Sequence, residues 1–166
     1  ALPMFYETTK LILEILPWDY ELLFVNDGSR DDSLSILREY AARDEKVKVV
    51  SFSRNFGHEA AMIAGIDYAD GDGIVCMDAD LQHPPECVAQ IIEKFEEGYE
   101  VINMVRTKNK SAGFIKNLTS SAFYKFLNKI SDVKLENNAS DFFALTANVA
   151  QVLKTNYREK VRFLRG

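Results

Sequence analysis

The stretch "VCMDADLQHPPE", Val75 to Glu86, decides how the chain is read. An apolar run ends in two aspartates one residue apart, and a polar patch and two prolines follow. The run beginning at Gly73 has the length and composition of a buried β-strand. Pro84 and Pro85 suit the first turn of a helix, where a missing N–H costs no hydrogen bond, and the spacing predicts a helix through about Glu97. The stretch is therefore a strand, an acidic turn and a helix in succession.

The same alternation continues on both sides. Upstream, "HEAAMIAGIDYA" is Ala-rich and helical, and "KVKVVSFS" (Lys46–Ser53) reads as a strand. "DDSLSILREYAARD" has helical spacing at Leu34, Ile36, Leu37, Tyr40 and Ala41, with aspartates at its start that suit a helix N-terminus. "ELLFVND" (Glu21–Asp27) is a short apolar strand stopped by Asp-Gly, and "PMFYETTKLILEIL" is a helix before it. Downstream, "YEVINMV" is a strand, and helical spacing returns from about Ala112 to Ile130. Strand and helix at this spacing predict an α/β fold: a mostly parallel sheet with helices on both faces. Such domains more often open with a strand, so a first strand is expected to be missing from this chain.

Ligands of such sheets bind beyond the carboxyl ends of the strands. Four successive strand ends here carry polar groups: Asp27, then Arg54 with Asn55, then Asp78 with Asp80, then Arg106. Asp78 and Asp80, at i and i+2, fall on one side of an extended chain. Two close carboxylates repel unless a positive charge lies between them. Mg²⁺ or Mn²⁺ would satisfy both, and Gln82 adds a neutral oxygen. Such ions take further ligands from substrate phosphate, so a metal-bound diphosphate is the natural ligand. The competing reading has one aspartate capping the next helix and the other solvated. His58 and His83 lack metal-type spacing and read as surface residues or as supports behind the ligands.

Composition narrows the class. The 166 residues suffice for one domain with a real core, and the net charge is −5. No apolar run approaches the roughly 18 residues of a membrane span. Pro3, Glu7 and Lys10 interrupt the opening residues, which do not read as a secretory leader. Cys76 sits in an apolar run and reads as a buried thiol of a reducing compartment. Between Arg106 and Lys134 seven basic residues and one acid give a local +6, which leaves −11 for the remainder. That segment fits a local anionic partner, either phosphate or a membrane surface, or a solvated helix face. No nucleic-acid partner is expected.

With these residues in view, a resemblance becomes specific. "LLFVNDGSRDDSL", "SFSRNFGHEAAMIAGIDYADGD", "MDADLQHPPE" and "GYEVINMVR" closely resemble the inverting family 2 glycosyltransferases, and among them the polyprenyl-phosphate and dolichyl-phosphate sugar synthases. The match runs from about Glu21 to Gly166. It implies a GT-A fold, a UDP- or GDP-sugar donor, and a lipid monophosphate acceptor at the cytoplasmic face of the membrane. Asp27 would then contact the base or ribose. Arg54 and Asn55 would lie near the nucleotide. Asp78, Asp80 and Gln82 would hold the metal against the diphosphate, with Asp80 also catalytic. Arg106, Lys116 and Ser120 fall where the family places groups near the acceptor phosphate, and Asp141 in "NNASDFFAL" becomes the candidate catalytic base. The family's arginine shortly after this aspartate is replaced here by Phe143 and Ala144. Arg162 and Arg165 in "VRFLRG" lie where the family's active site meets its membrane-associated region.

The helix near Phe114, Leu118, Ala122, Phe123 and Phe126 either lies on anionic lipid or packs on its own core. Residues 1–166 are expected to form a single catalytic domain, soluble as it stands and cut from a longer membrane-associated enzyme. Self-association is open to it. Two rival functions remain: a family 2 transferase acting on a saccharide or other hydroxyl, and a non-catalytic nucleotide-sugar binding module.

Overall fold

A computed structural model describes residues 1–105 and 139–156, with side chains from 141 onward in the second segment. The elements are α1 (Leu2–Glu14), β1 (Leu22–Asn26), α2 (Ser33–Arg43), β2 (Val47–Ser51), α3 (His58–Tyr68), β3 (Gly73–Cys76), α4 (Cys87–Glu96), β4 (Val101–Val105), β5 (Ala139–Thr146) and α5 (Ala147–Asn156). The expected helix from 112 to 130 lies outside the described residues.

β1 and β2 pair in parallel, from Leu22 opposite Val47 to Asn26 opposite Ser51. β5 lies between β3 and β4 and runs antiparallel to both. β3 and β4 therefore share one direction, as the alternation with helices predicts, and β5 is the reversed strand. The sequence reading assigned no strand to residues 139–146.

Period-two alternation explains the core. Ile74 and Leu145 face α3 and α5, where they cluster with Ile66 and Ala150. Their neighbours Val75 and Ala144 face the opposite way, toward Ile91 of α4. The sheet is thus covered on both faces. In the β1–β2 ladder, Phe24 and Val47 meet Phe5, Tyr6, Leu37 and Tyr40 of α1 and α2. Val25 points to the other side, where a Cβ at Gly65 of α3 would just reach its Cγ2 at 3.7 Å. A fully buried side chain such as Ile91 contributes roughly 1.5–3 kcal/mol.

The prolines act slightly differently from expectation. Pro84 and Pro85 form a turn ahead of α4 whose carbonyls accept from Cys87 and Val88 N–H, and the helix starts at Cys87. At α2 the carboxylate of Asp31 accepts from Ser33 N–H at 3.1 Å, whereas Asp32 makes no side-chain cap. Burial pushes the Cys76 thiol up to about 12, so it is no nucleophile near neutral pH.

At the far end of α1, Tyr6 stacks on Tyr40 with ring centroids 4.1 Å apart and donates to Asp44 at 2.8 Å. Lys10 donates to the same carboxylate at 2.6 Å. These two donors, Lys10 foremost, hold Asp44 down to about 2. Because the folded value lies below the ordinary one, the network's contribution is complete above about pH 4 and is lost as pH falls toward 2. Thermal melts across that window should show a steep loss of stability in the wild type. The Asp44→Asn variant should show a flatter one.

Candidate active site

β1 ends at Asn26, whose buried amide donates to Ser51 Oγ at 3.0 Å and so ties the two strand ends together. Asp27 follows. Its two carboxylate oxygens accept from Phe56 N–H at 2.7 Å and Gly57 N–H at 3.0 Å. Gly28 has φ +65, and a Cβ there would run into the backbone of Arg54 and Asn55. The Asp-Gly turn therefore braces the loop after β2. Arg54 and Asn55 are exposed on that loop, and the Arg54 guanidinium lies 4.6 Å from the centroid of the Phe56 ring. The structure gives Asp27 a loop-holding task that the sequence reading did not foresee.

Beyond β3 the chain leaves the ladder and turns. Met77, Ala79 and Leu81 pack against the α1–α2 core, and Asp78 and Asp80 alternate with them along the chain. Asp78 is 37% exposed at its side chain, and Asp80 is exposed. Leu81 takes φ +66, a left-handed conformation uncommon for a side chain of this kind. It closes a turn in which Gln82 donates its backbone N–H to Asp80 Oδ1 at 2.9 Å and its side-chain amide to Asp80 Oδ2 at 2.8 Å. Gln82 thus orients Asp80 through its amide nitrogen.

His83 is buried, only 2% exposed, which rules out the surface half of its reading and leaves it as a support behind the aspartates. Its Nδ1 accepts from Asp78 N–H at 3.0 Å, which places the ring proton on Nε2 in the neutral form. The ring stacks on Phe142 of β5, centroids 5.1 Å apart. His83 therefore anchors the backbone of the first aspartate.

β5 completes the arrangement. The ladder sets Cys76 opposite Phe143, and continuing that antiparallel register brings Asp141 opposite Asp78. Between them stands His58, the first residue of α3. Its Nε2 is 3.5 Å from Asp141 Oδ2, and its Nδ1 is 3.9 Å from Asp78 Oδ1. Residues from three elements thus converge at the end of β3. The sequence reading set His58 aside; its position at a helix start after "RNFG", between two polar strand ends, was the available signal.

Asp78 and Asp80 are hard oxygen donors, and their chemistry fits Mg²⁺ or Mn²⁺. Among the described residues no group of three His, Cys, Asp or Glu side chains is arranged to hold a metal by itself, so part of any coordination shell would come from ligand or water. Arg106, Lys116, Ser120, Arg162 and Arg165 lie outside the described residues. No helix among the described residues is long and apolar enough to cross a membrane.

Comparisons with known proteins agree with this architecture. The chain is 46% identical over 161 residues to "Uncharacterized glycosyltransferase YkcC" of Bacillus subtilis (strain 168), covering 97% of this chain and 50% of that protein. It is 39% identical over 166 residues to "Bactoprenol glucosyl transferase" of Shigella phage SfV, covering 100% and 54% respectively. The chain thus spans about half the length of the curated relatives it matches. Among solved structures, a mannosyltransferase from Pyrobaculum calidifontis in complex with GDP-Man and Mn²⁺ superposes with a TM-score of 0.57 at 17% identity, over 92% of this chain and 43% of that one. That likeness establishes the GT-A fold. The profile of glycosyl transferase family 2 matches residues 2–151, nearly the whole length, and the chain belongs to that family.

Proposed function

We propose that the chain is the sugar-transferring part of an inverting, metal-dependent enzyme that moves a sugar from a nucleotide-sugar donor to a polyprenyl phosphate. The observation that carries the reading is the approach of Asp78 and Asp141 to either side of His58 at the end of β3 in a family 2 chain. The acceptor class is supported by similarity to proteins named bactoprenol glucosyl transferases.

The chemistry asks little of a base. The acceptor phosphate is already ionised near neutral pH. One of its oxygens attacks the anomeric carbon opposite the diphosphate. The new carbon–oxygen bond forms as the bond to the diphosphate breaks, and the nucleoside diphosphate leaves with the electron pair. Asp78 and Asp80 would hold Mg²⁺ or Mn²⁺, which when bound neutralises the charge growing on the leaving group. Gln82 keeps the Asp80 carboxylate turned to one side, and His83 fixes the backbone of Asp78. Asp27 holds the loop that carries Arg54 and Asn55 toward the nucleotide. Asp141, across from Asp78, serves the acceptor side as base or as an orienting group. Arg106, Lys116 and Ser120 are proposed contacts of the acceptor phosphate, with the surrounding basic segment at the cytoplasmic membrane surface.

The test is a transfer assay with labelled UDP- and GDP-sugars, Mn²⁺ or Mg²⁺, and either a polyprenyl phosphate or a saccharide as acceptor. Lipid-linked product that disappears with chelator is expected. Product on saccharide hydroxyls alone, or metal-dependent nucleotide binding without transfer, would overturn the reading.

A further inference from the structure

His58 belongs to no part of the donor clamp, yet it stands where the two sides of the site meet. Its backbone begins α3 directly after Gly57, whose N–H is held by Asp27. The ring's position is therefore set by the braced turn between β2 and α3. From there Nε2 lies 3.5 Å from Asp141 Oδ2, and Nδ1 lies 3.9 Å from Asp78 Oδ1. The ring is 48% exposed at its side chain, so it lines the open site and is not a core residue.

We propose that His58 is the positioning residue of Asp141: its Nε2–H holds the Asp141 carboxylate in the orientation from which that group meets the acceptor. The inference rests on the sugar-transfer reading above for its functional consequence, but the contact itself does not. Three features support it. First, an imidazole presents an N–H at Nε2 in its cationic form and in the neutral form protonated there, so the donor to Asp141 is available in both. Second, Asp141 lies two residues N-terminal to Phe143, where the ladder of β5 with β3 ends at the Cys76–Phe143 pair. Its side chain is therefore directed by contacts of its own, and His58 supplies one. Third, 3.5 Å is an ion-pair separation, a few tenths of an ångström beyond the roughly 2.7–3.2 Å of an N–H···O hydrogen bond, so a small rotation of either side chain makes that bond. His58 does not act on the sugar or the phosphate; it sets where Asp141 points.

Two measurements test this. In the protein labelled with ¹⁵N-histidine, the His58 signal is assigned by its loss in the His58→Gln variant. Asp141→Asn should then move the His58 Nε2 resonance and leave that of buried His83 in place. An unmoved His58 signal would overturn the contact. In the transfer assay, His58→Ala should lower kcat by about 10–100-fold, a larger factor than any change in metal-dependent nucleotide binding by calorimetry. His58→Gln, which keeps an N–H donor on a side chain of similar reach, should recover much of that loss.

The deciding comparison is the double variant. If His58 works through Asp141, adding His58→Ala to Asp141→Asn should cost little more than Asp141→Asn alone. Losses that multiply would show an independent role and overturn the proposal. Absence of transfer by the wild type to any acceptor would overturn the sugar-transfer reading, and the imidazole spectrum then decides the His58–Asp141 contact by itself.

Discussion

Replacing Asp80 with alanine should lower sugar transfer by about 10²–10³-fold while leaving the fold intact. The size follows from the task. A charge-stabilising group aimed at a developing negative charge is worth roughly that factor when removed from a low-dielectric site. Asp80 is a second carboxylate two residues from Asp78, and both of its oxygens accept from Gln82. Without it, the donor set for a divalent cation is left with one carboxylate, and the leaving diphosphate loses its counter-charge. The fold should not notice, because Asp80 is exposed and Gln82, from which it accepts two hydrogen bonds, belongs to its own turn. Surface substitutions of this kind usually stay within about 0.5 kcal/mol. Transfer rates and melting curves on the same preparation separate the two effects. Turnover that persists in Asp80→Ala would remove this residue from the mechanism.

Phe142→Ala should act in the opposite way, through the fold first. Phe142 is 3% exposed and clusters with Ile91 and Ala144 between β5 and α4. Truncating a buried phenylalanine costs about 3–5 kcal/mol, lost transfer free energy plus the cavity left behind. Against a total stability of roughly 5–15 kcal/mol, that is a large share. The ring also stacks on His83, which accepts the N–H of Asp78. Loosening that imidazole should weaken metal-dependent nucleotide binding at temperatures where the variant is still folded. Denaturant titration gives the first effect and calorimetry the second. A loss of stability below about 1 kcal/mol would mean that β5 does not pack against α4 through Phe142. Phe142→Leu, which keeps most of the volume, should cost much less.

Much of this architecture is legible in short stretches. Strand β1 is announced by "LLFVN" and an Asp-Gly stop, and helix α2 by apolar residues at helical steps. The strand–acid–proline order of "VCMDADLQHPPE" places the aspartates at a strand end, and in the structure they alternate there with Met77, Ala79 and Leu81, which go into the core. These features depend on residues a few positions apart, where backbone periodicity and steric preference act directly. The boundary of α4 was less legible, since proline tolerates a helix start and a preceding turn equally well.

The sequence by itself determined β1 to β4, α1 to α4 and the spacing of Asp78 and Asp80, because those follow from local pattern, but not β5 or α5. Only the tertiary structure decided that β5 enters antiparallel between β3 and β4, which brings Asp141 opposite Asp78 and seats Phe142 on His83. It also decided that Asp27 spends both carboxylate oxygens on the loop after β2, and that His58 stands between two acids. The physical reason is distance along the chain. Strand pairing and side-chain meeting between remote residues depend on which ladder closes in three dimensions, and no local period encodes that choice.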